Sequence, residues 1–232
     1  MLCNFEKTRK MSQTFFAKSK YTFIAMGVLS VIIITYLYQI NNKAKSLPIY
    51  NPIDINPRLV DESLLNKSKN HTIGSFSLVD QDGNTVTQDN FENKIYVADF
   101  FFTKCATICP IMTTNMAVLQ KEFLNNPKVK FLSHSVTPIM DSVPVLREYA
   151  DKHRAVSNKW HITTGDKKMI YNLARKNYFA VLDEGDGDAQ DFIHTEQFVL
   201  IDTKKRIRGF YDGTKLKETQ QAIKDIKLLL AK

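Results

Sequence analysis

Two cysteines stand with three residues between them in DFFFTKCATICPIM, residues 99–112. Thiolates are soft metal ligands and strong nucleophiles, so Cys105 and Cys109 could hold a metal ion, form a disulfide or exchange one. Redox dithiols more often stand one residue closer, as Cys-x-x-Cys. The wider loop lets two sulfurs converge on a shared ion without being forced together, and nothing in it forbids a disulfide. Pro110 opens a helix directly after Cys109. A helix N-terminus favours negative charge, so the expectation is a lowered pKa for Cys109. Structural zinc would want four ligands. A site of two sulfurs and one nitrogen suits copper better, since thiolates select Cu(I) and imidazole takes copper in either oxidation state.

The nitrogen donor has five candidates. His153 falls late in a surface helix and His161 follows Trp160 near a strand start, positions suited to packing. His71 stands at the domain entrance. His134 lies inside an apolar run, where a hydrogen-bonded core histidine is the plain alternative. His194 ends the loop DEGDGDAQDFI and immediately precedes a sheet strand. If that loop lies beside the cysteine loop, His194 is a ligand; a local structural role is the competing reading. Asp99 is an acid in an otherwise apolar strand. Burial would raise its pKa and let it pass protons to a thiol, and the alternative is a hydrogen-bonded structural carboxylate. Asp183, Glu184, Asp186, Asp188 and Asp191 lie close together without a basic residue and without the spacing of a calcium loop. They read as a solvated loop, or as a surface for cations or a basic partner beside His194. Met112 and Met116 are soft donors too. Their stripe continues through Leu119 and Phe123, so they read as core.

The elements that would position these residues follow from periodicity. SFSLVDQDGNTVT reads as a β-hairpin around Asp82-Gly83. IYVADFFFT, residues 95–103, is a nearly all-apolar run, the pattern of a central strand covered on both faces. A helix follows from Pro110 and stops at Asn125-Asn126-Pro127. VKFLSHSV is the next strand. Asp141 or Ser142 can cap a helix running to about Lys152, with Pro144 in its first turn. A third helix covers about Lys167–Asn177. EQFVLID and RIRGFYDG pair antiparallel around a Lys-Lys turn, and an amphipathic helix closes the chain. The order is hairpin, β, α, β, α, α, β, β, α. The β-α-β start makes the first two core strands parallel. The result is an α/β fold: a thioredoxin-like mixed sheet flanked by helices, with an added N-terminal β-hairpin.

The chain has 232 residues and a net charge of +8. Residues 1–20 carry five of its cations and a single acid, Glu6. The remaining excess is too thin for a nucleic-acid surface, and no basic stripe with interleaved aromatics appears. Residues 21–40, YTFIAMGVLSVIIITYLYQI, contain no charge. About 20 apolar residues span a bilayer core as a helix. The preceding cations would stay cytoplasmic and the rest would emerge on the other face. The expected organisation is a cytoplasmic tail (1–20), a transmembrane anchor (21–40), a proline-punctuated linker (41–70) and a folded domain (71–232). Cys3 then lies on the cytoplasmic side, while Cys105 and Cys109 lie where disulfides can form.

Several motifs together resemble the SCO/SenC family of membrane-anchored copper proteins. They are IGSFSLVDQDG, then DFFFTKCATICPIM, SVTPIMDSVPVLREYA, Trp160-x-x-x-Thr164-Gly165 and IHTEQFVLID, in family order over about residues 71–230. The resemblance implies a copper metallochaperone that binds one copper ion, Cu(I) or Cu(II), through Cys105, Cys109 and His194. It implies delivery to the copper-centre subunit of a respiratory haem–copper oxidase, the cytochrome c oxidase type, with an exported thiol reductant preparing the site. The short basic leader does not read as a transit peptide, so the expected location is a bacterial inner membrane with the domain on its outer face; a mitochondrial inner membrane is the second choice. Three positions depart from the family pattern: Ala106 where Pro is frequent, Thr137 where Asp is common, and Ile193 where some relatives place Asp. The alternative function is an exported thiol–disulfide oxidoreductase with Cys105 and Cys109 as its catalytic pair. Asp99 and the fold favour it. The cysteine spacing, and the lack of a proline just before EQFVLID, argue against it.

Overall fold

In the computed structural model, residues 21–37, 46–60, 70–181 and 192–231 are described. The chain divides into two compact units, Met1–Ser46 and Leu47–Lys232. In the first, α1 spans residues 21–37. Its few hydroxyls return to their own helix: Ser30 Oγ donates to the Met26 carbonyl and Thr35 Oγ1 to that of Val31, each at 2.8 Å. Among the described residues no helix is long and apolar enough to cross a membrane. Residues 38–40 of the expected anchor, the tail 1–20 and the acidic residues 183–191 lie outside the described residues.

The second unit is built on one seven-stranded sheet. Its strands are β1 (Ser77–Asp80), β2 (Thr85–Thr87), β3 (Ile95–Phe101), β4 (Val129–Ser135), β5 (Trp160–Thr164), β6 (Gln197–Ile201) and β7 (Ile207–Asp212). Their spatial order is β2-β1-β5-β4-β3-β6-β7. β3 and β4 pair in parallel through the whole of both strands, from Ile95↔Val129 to Phe101↔Ser135. β6 runs antiparallel on the other side of β3. Every residue of β3 is buried, as a strand covered on both faces requires. The helices are α2 (Cys109–Glu122), α3 (Val143–His153), α4 (Lys167–Asn172), which continues into a π turn at Leu173–Asn177, and α5 (Leu216–Leu230).

Alternation along β3 splits the core in two. Tyr96, Ala98 and Phe100 face a cluster with Ile170, Tyr171 and Tyr178. Val97 and Phe101 face the other, with Met112, Met116 and Leu119 of α2, Leu146 of α3 and Ile226 of α5. Met112 and Met116 are fully buried there, as the stripe predicts.

The structure departs from the sequence reading at three places. The expected order lacks β5, a five-residue strand that joins the hairpin to the core by pairing with both β1 and β4. Its residues, WHITT, include two threonines and a histidine, so no apolar run betrays it. All five are nevertheless buried: His161 Nδ1 lies 3.0 Å from Asp80 Oδ2, and Thr163 Oγ1 donates to the Ser133 carbonyl at 3.1 Å. Second, Ser142 takes the N-cap position of α3 without a side-chain cap bond, and Asp141 is engaged elsewhere. Third, residues 47–60, inside the stretch expected as a linker, pack on the domain. Tyr50 bridges to Ile207, and Val60 is buried.

Candidate metal centre

β3 ends at Phe101, the chain turns, and α2 begins at Cys109. The turn is tight, with Cys105 N–H donating to the Phe102 carbonyl at 3.2 Å. Pro110 occupies the first helical turn, where its missing N–H costs nothing. The N–H of Cys109 points at Cys105 Sγ, 3.4 Å away, and Thr107 Oγ1 lies 3.7 Å from the same sulfur. Both cysteines are buried free thiols.

The helix terminus therefore acts on the other cysteine from the one expected. Burial opposes ionisation of Cys105, but the backbone N–H groups of Cys109 and Thr107 outweigh it and bring the thiol down to about 7. Cys109 is pushed up to about 12, first by burial and then by the Cys105 and Asp99 charges, against one hydrogen bond from Phe102. The sequence predicted a thiolate at Cys109. As the first helical residue, Cys109 turns its own sulfur inward and lends its N–H to Cys105.

Asp99 shares this environment. It is buried, and its carboxyl is raised to about 7 by burial, opposed by a hydrogen bond from Ser133. Ser133 Oγ donates to Asp99 Oδ1 at 2.5 Å and accepts from Trp160 Nε1 at 2.9 Å. Both sequence expectations for Asp99 thus meet in one group: it is hydrogen-bonded in the core and has a raised pKa. Tyr149 closes the same region from α3. Its hydroxyl lies 2.5 Å from Thr113 Oγ1, which donates to the Cys109 carbonyl at 2.8 Å.

Sequence reasoning missed the residue that holds the cysteine loop at its root. Asp141 is buried and accepts from Thr103 N–H (3.3 Å), Thr103 Oγ1 (2.5 Å), Ser135 Oγ (2.5 Å) and Thr137 Oγ1 (2.9 Å). It ties the residue two before Cys105 to the end of β4 and to the loop after it. The available signal was a carboxylate in SVTPIMD with no basic neighbour, four residues after Thr137. Thr137 keeps a place in this network as a donor.

The histidines separate cleanly. His71 Nε2 lies 2.8 Å from the Asn177 carbonyl, and its ring packs on Phe179. His134 is fully buried, with Nδ1 3.0 Å from Thr163 Oγ1. His161 pairs with Asp80 at 3.0 Å, and His153 lies against Tyr149. His194 is the exposed one on the lead into β6. It lines a pocket of about 510 Å³ with Val181, Glu196, Phe210 and Asp212. Phe192, two residues before it, meets Phe102 of the cysteine turn with ring centroids 5.3 Å apart. The two segments are therefore neighbours. Among the described residues, however, no three His, Cys, Asp or Glu side chains stand close enough to hold a metal ion, so His194 is not gathered onto the cysteine pair. The pair itself fits a soft ion: two buried sulfurs in mutual contact, one of them readily ionised.

The profile of the SCO1/SenC family matches residues 66–231. The SCO1 homologue of Bacillus subtilis is 31% identical over 160 residues, covering 68% of this chain and 82% of its own. The solved structure of BsSco, described as having a disulfide switch and as a member of the Sco family of cytochrome c oxidase assembly proteins, is 30% identical. It has a TM-score of 0.60 and covers 70% of this chain and 96% of its own. Arabidopsis thaliana ScoI, solved with copper bound, is 25% identical with a TM-score of 0.53, covering 66% and 97%.

Proposed function

The chain belongs to the SCO1/SenC family, and on that footing we propose that it is a copper metallochaperone for a respiratory haem–copper oxidase. The observation that carries the reading is the Cys105–Cys109 pair at the β3–α2 turn, with one sulfur held by helix N–H groups and the other buried beside it. Copper is cargo here. Cys105 and Cys109 supply two thiolates and His194 the third donor, brought over by movement of residues 192–195 past the Phe102–Phe192 contact. A site assembled from two segments suits delivery, because withdrawal of one donor weakens the hold on the ion. A relative solved with copper bound supports the choice of metal. The client we propose is the copper-centre subunit of the oxidase, and an exported reductant keeps the pair as thiols. Residues 21–40 anchor the chain in a bacterial inner membrane, with residues 1–20 cytoplasmic and the domain outside.

Copper titration of the reduced protein tests this. About one ion per chain is expected, with loss of tight binding in Cys105→Ala and in Cys109→Ala. An oxidised sample should bind none. Tight binding that survives both substitutions would overturn the reading.

A second reading has its own observation. Asp99, raised to about 7, lies within charge range of Cys109, the arrangement of a proton acceptor beside a buried thiol. In a thiol–disulfide oxidoreductase, the Cys105 thiolate would attack a substrate disulfide and release one substrate thiolate. Cys109, losing its proton to Asp99, would then resolve the mixed disulfide, releasing the second. Metal-free turnover of a disulfide substrate, unchanged in His194→Ala and slowed in Asp99→Asn, would favour this reading over the first.

A further inference from the structure

Charge in the folded domain is sorted along the strands. The first 46 residues take +6 of the chain's +8, which leaves residues 47–232 near neutrality at +2. Cations nevertheless crowd at one pole of the sheet. Lys128 and Lys204, both exposed, line a pocket of about 410 Å³ with Arg206 and Arg208, and Asp202 is the one acid among its lining residues. Asp202 accepts from both arginines and so cannot neutralise the lysines as well. Next to this pocket stands a second group. Lys94 precedes Ile95, whose N–H bonds to the Lys128 carbonyl, and Lys94, Lys130 and Lys159 lie within charge range of one another. The Lys159 ammonium is capped by the carbonyls of Asn126 and Val129 rather than by an acid.

The opposite pole carries the cysteine turn, His194, Glu196 and Asp212. β6 begins there, and Gln197 faces Asp212 in the β6–β7 register. Val181 and His194, both outside residues 183–191, line the pocket at that pole.

The chain enters the domain at the basic pole. Arg208, which lines the basic pocket, donates from Nε to the Pro48 carbonyl at 2.7 Å and from Nη2 to the Leu47 carbonyl at 2.5 Å. Nine residues, 38–46, separate residue 37 from Leu47 in the sequence, a reach of at most about 33–36 Å. We propose that this pole is a docking face for an anionic bilayer surface, with a lipid phosphate in the pocket between Lys128, Lys204 and Arg206. The proposal rests on the anchor reading for its geometry: a chain tethered by residues 21–40 holds this pole within reach of the headgroups. Docked so, the domain presents the cysteine turn away from the membrane, about 23 Å along β3 from the basic pole. Each cation near an anionic surface strengthens binding several-fold, and salt weakens it.

The test uses residues 47–232 alone, a stretch whose solved relatives stand as independent chains. The fragment is sedimented with phosphatidylcholine vesicles, with and without about one-third phosphatidylglycerol. Binding to the anionic vesicles only, falling with salt, is expected. The double variant Lys128→Glu, Lys204→Glu should partition at least about tenfold less, while its copper titration matches that of the unaltered fragment. If the charge reversal fails to fold, Lys128→Gln with Lys204→Gln should lose binding in the same direction. Equal binding to neutral vesicles, or undiminished binding of a folded double variant, would overturn the proposal. So would displacement by inorganic phosphate at matched ionic strength, which would make the pocket a free-anion site, or tighter binding to a DNA oligonucleotide. The anchor is judged separately: release of the full chain from membranes by alkaline carbonate would remove it without altering the vesicle result.

Discussion

At the residue scale the site is a matter of which sulfur meets which N–H. The cysteines, their spacing and the helix start were legible in the sequence, because Pro110 marks the helix and the apolar run marks the strand. Their order of acidity was not, because it depends on burial and on where the Cys109 and Thr107 N–H groups point. Alkylation tests that order. Iodoacetamide labelling followed by mass spectrometry should reach Cys105 with a half-point near pH 7, while Cys109 stays unreactive to well above it. Labelling of Cys109 first would reverse the assignment. Asp141 was illegible for a related reason: its partners come from two separate places in the chain, Thr103 and the Ser135–Thr137 stretch. Asp141→Ala removes the acceptor of four hydrogen bonds and leaves the buried Ser135 hydroxyl and the half-buried Thr103 and Thr137 donors without it. We expect a loss of about 2–4 kcal/mol in thermal or denaturant unfolding. Asp141→Asn, which keeps one acceptor oxygen, should lose less.

At the scale of elements the informative case is β5. Strands with continuous apolar runs, β3 and β6, were read directly, and so was the hairpin with its Asp-Gly turn. β5 hides its membership because its buried polar groups find partners only once the sheet exists. The hairpin docks through the same chemistry. Asp80 accepts from the N–H groups of Asp82 and Asn84 in the β1–β2 turn and lies 3.0 Å from His161 Nδ1 on β5. Gln81 adds a bond in each direction, to the Trp160 carbonyl and from the Ile162 N–H. Asp80→Ala should therefore cost about 2–3 kcal/mol and lower Tm by about 4–12 °C. Amides of β1 and β2 should lose hydrogen-exchange protection before those of β3 and β4. Uniform loss across the sheet would show that the hairpin is not a separate docking unit.

At the scale of the whole molecule the sequence gives the order of the motifs and the apolar segment 21–40, but not the packing of residues 47–60. The prolines there read as a linker, yet Arg208 and Asp202 hold the segment's start to β7. Burial would raise the Asp202 carboxyl, but the Arg206 and Arg208 guanidiniums and two backbone N–H groups hold it below the usual range. A carboxyl with a lowered folded pKa contributes its full stability above the ordinary carboxylate value and loses it as pH falls through the folded one. Acid below the ordinary carboxylate pKa should therefore loosen residues 47–60 first, seen as faster amide exchange there, and Asp202→Asn should show that loosening already at neutral pH. The same chain carries a cation-crowded pole where it enters the domain and its thiols at the other end.

At the thiol-bearing pole, the cysteine turn and residues 192–195 are expected to close on one copper ion. X-ray absorption at the copper edge of the reduced, Cu(I)-loaded protein tests it most directly. We predict two sulfur donors and one imidazole nitrogen, with the nitrogen shell lost in His194→Ala. A copper ion bound by sulfur alone, with a spectrum that His194→Ala leaves unchanged, would contradict it.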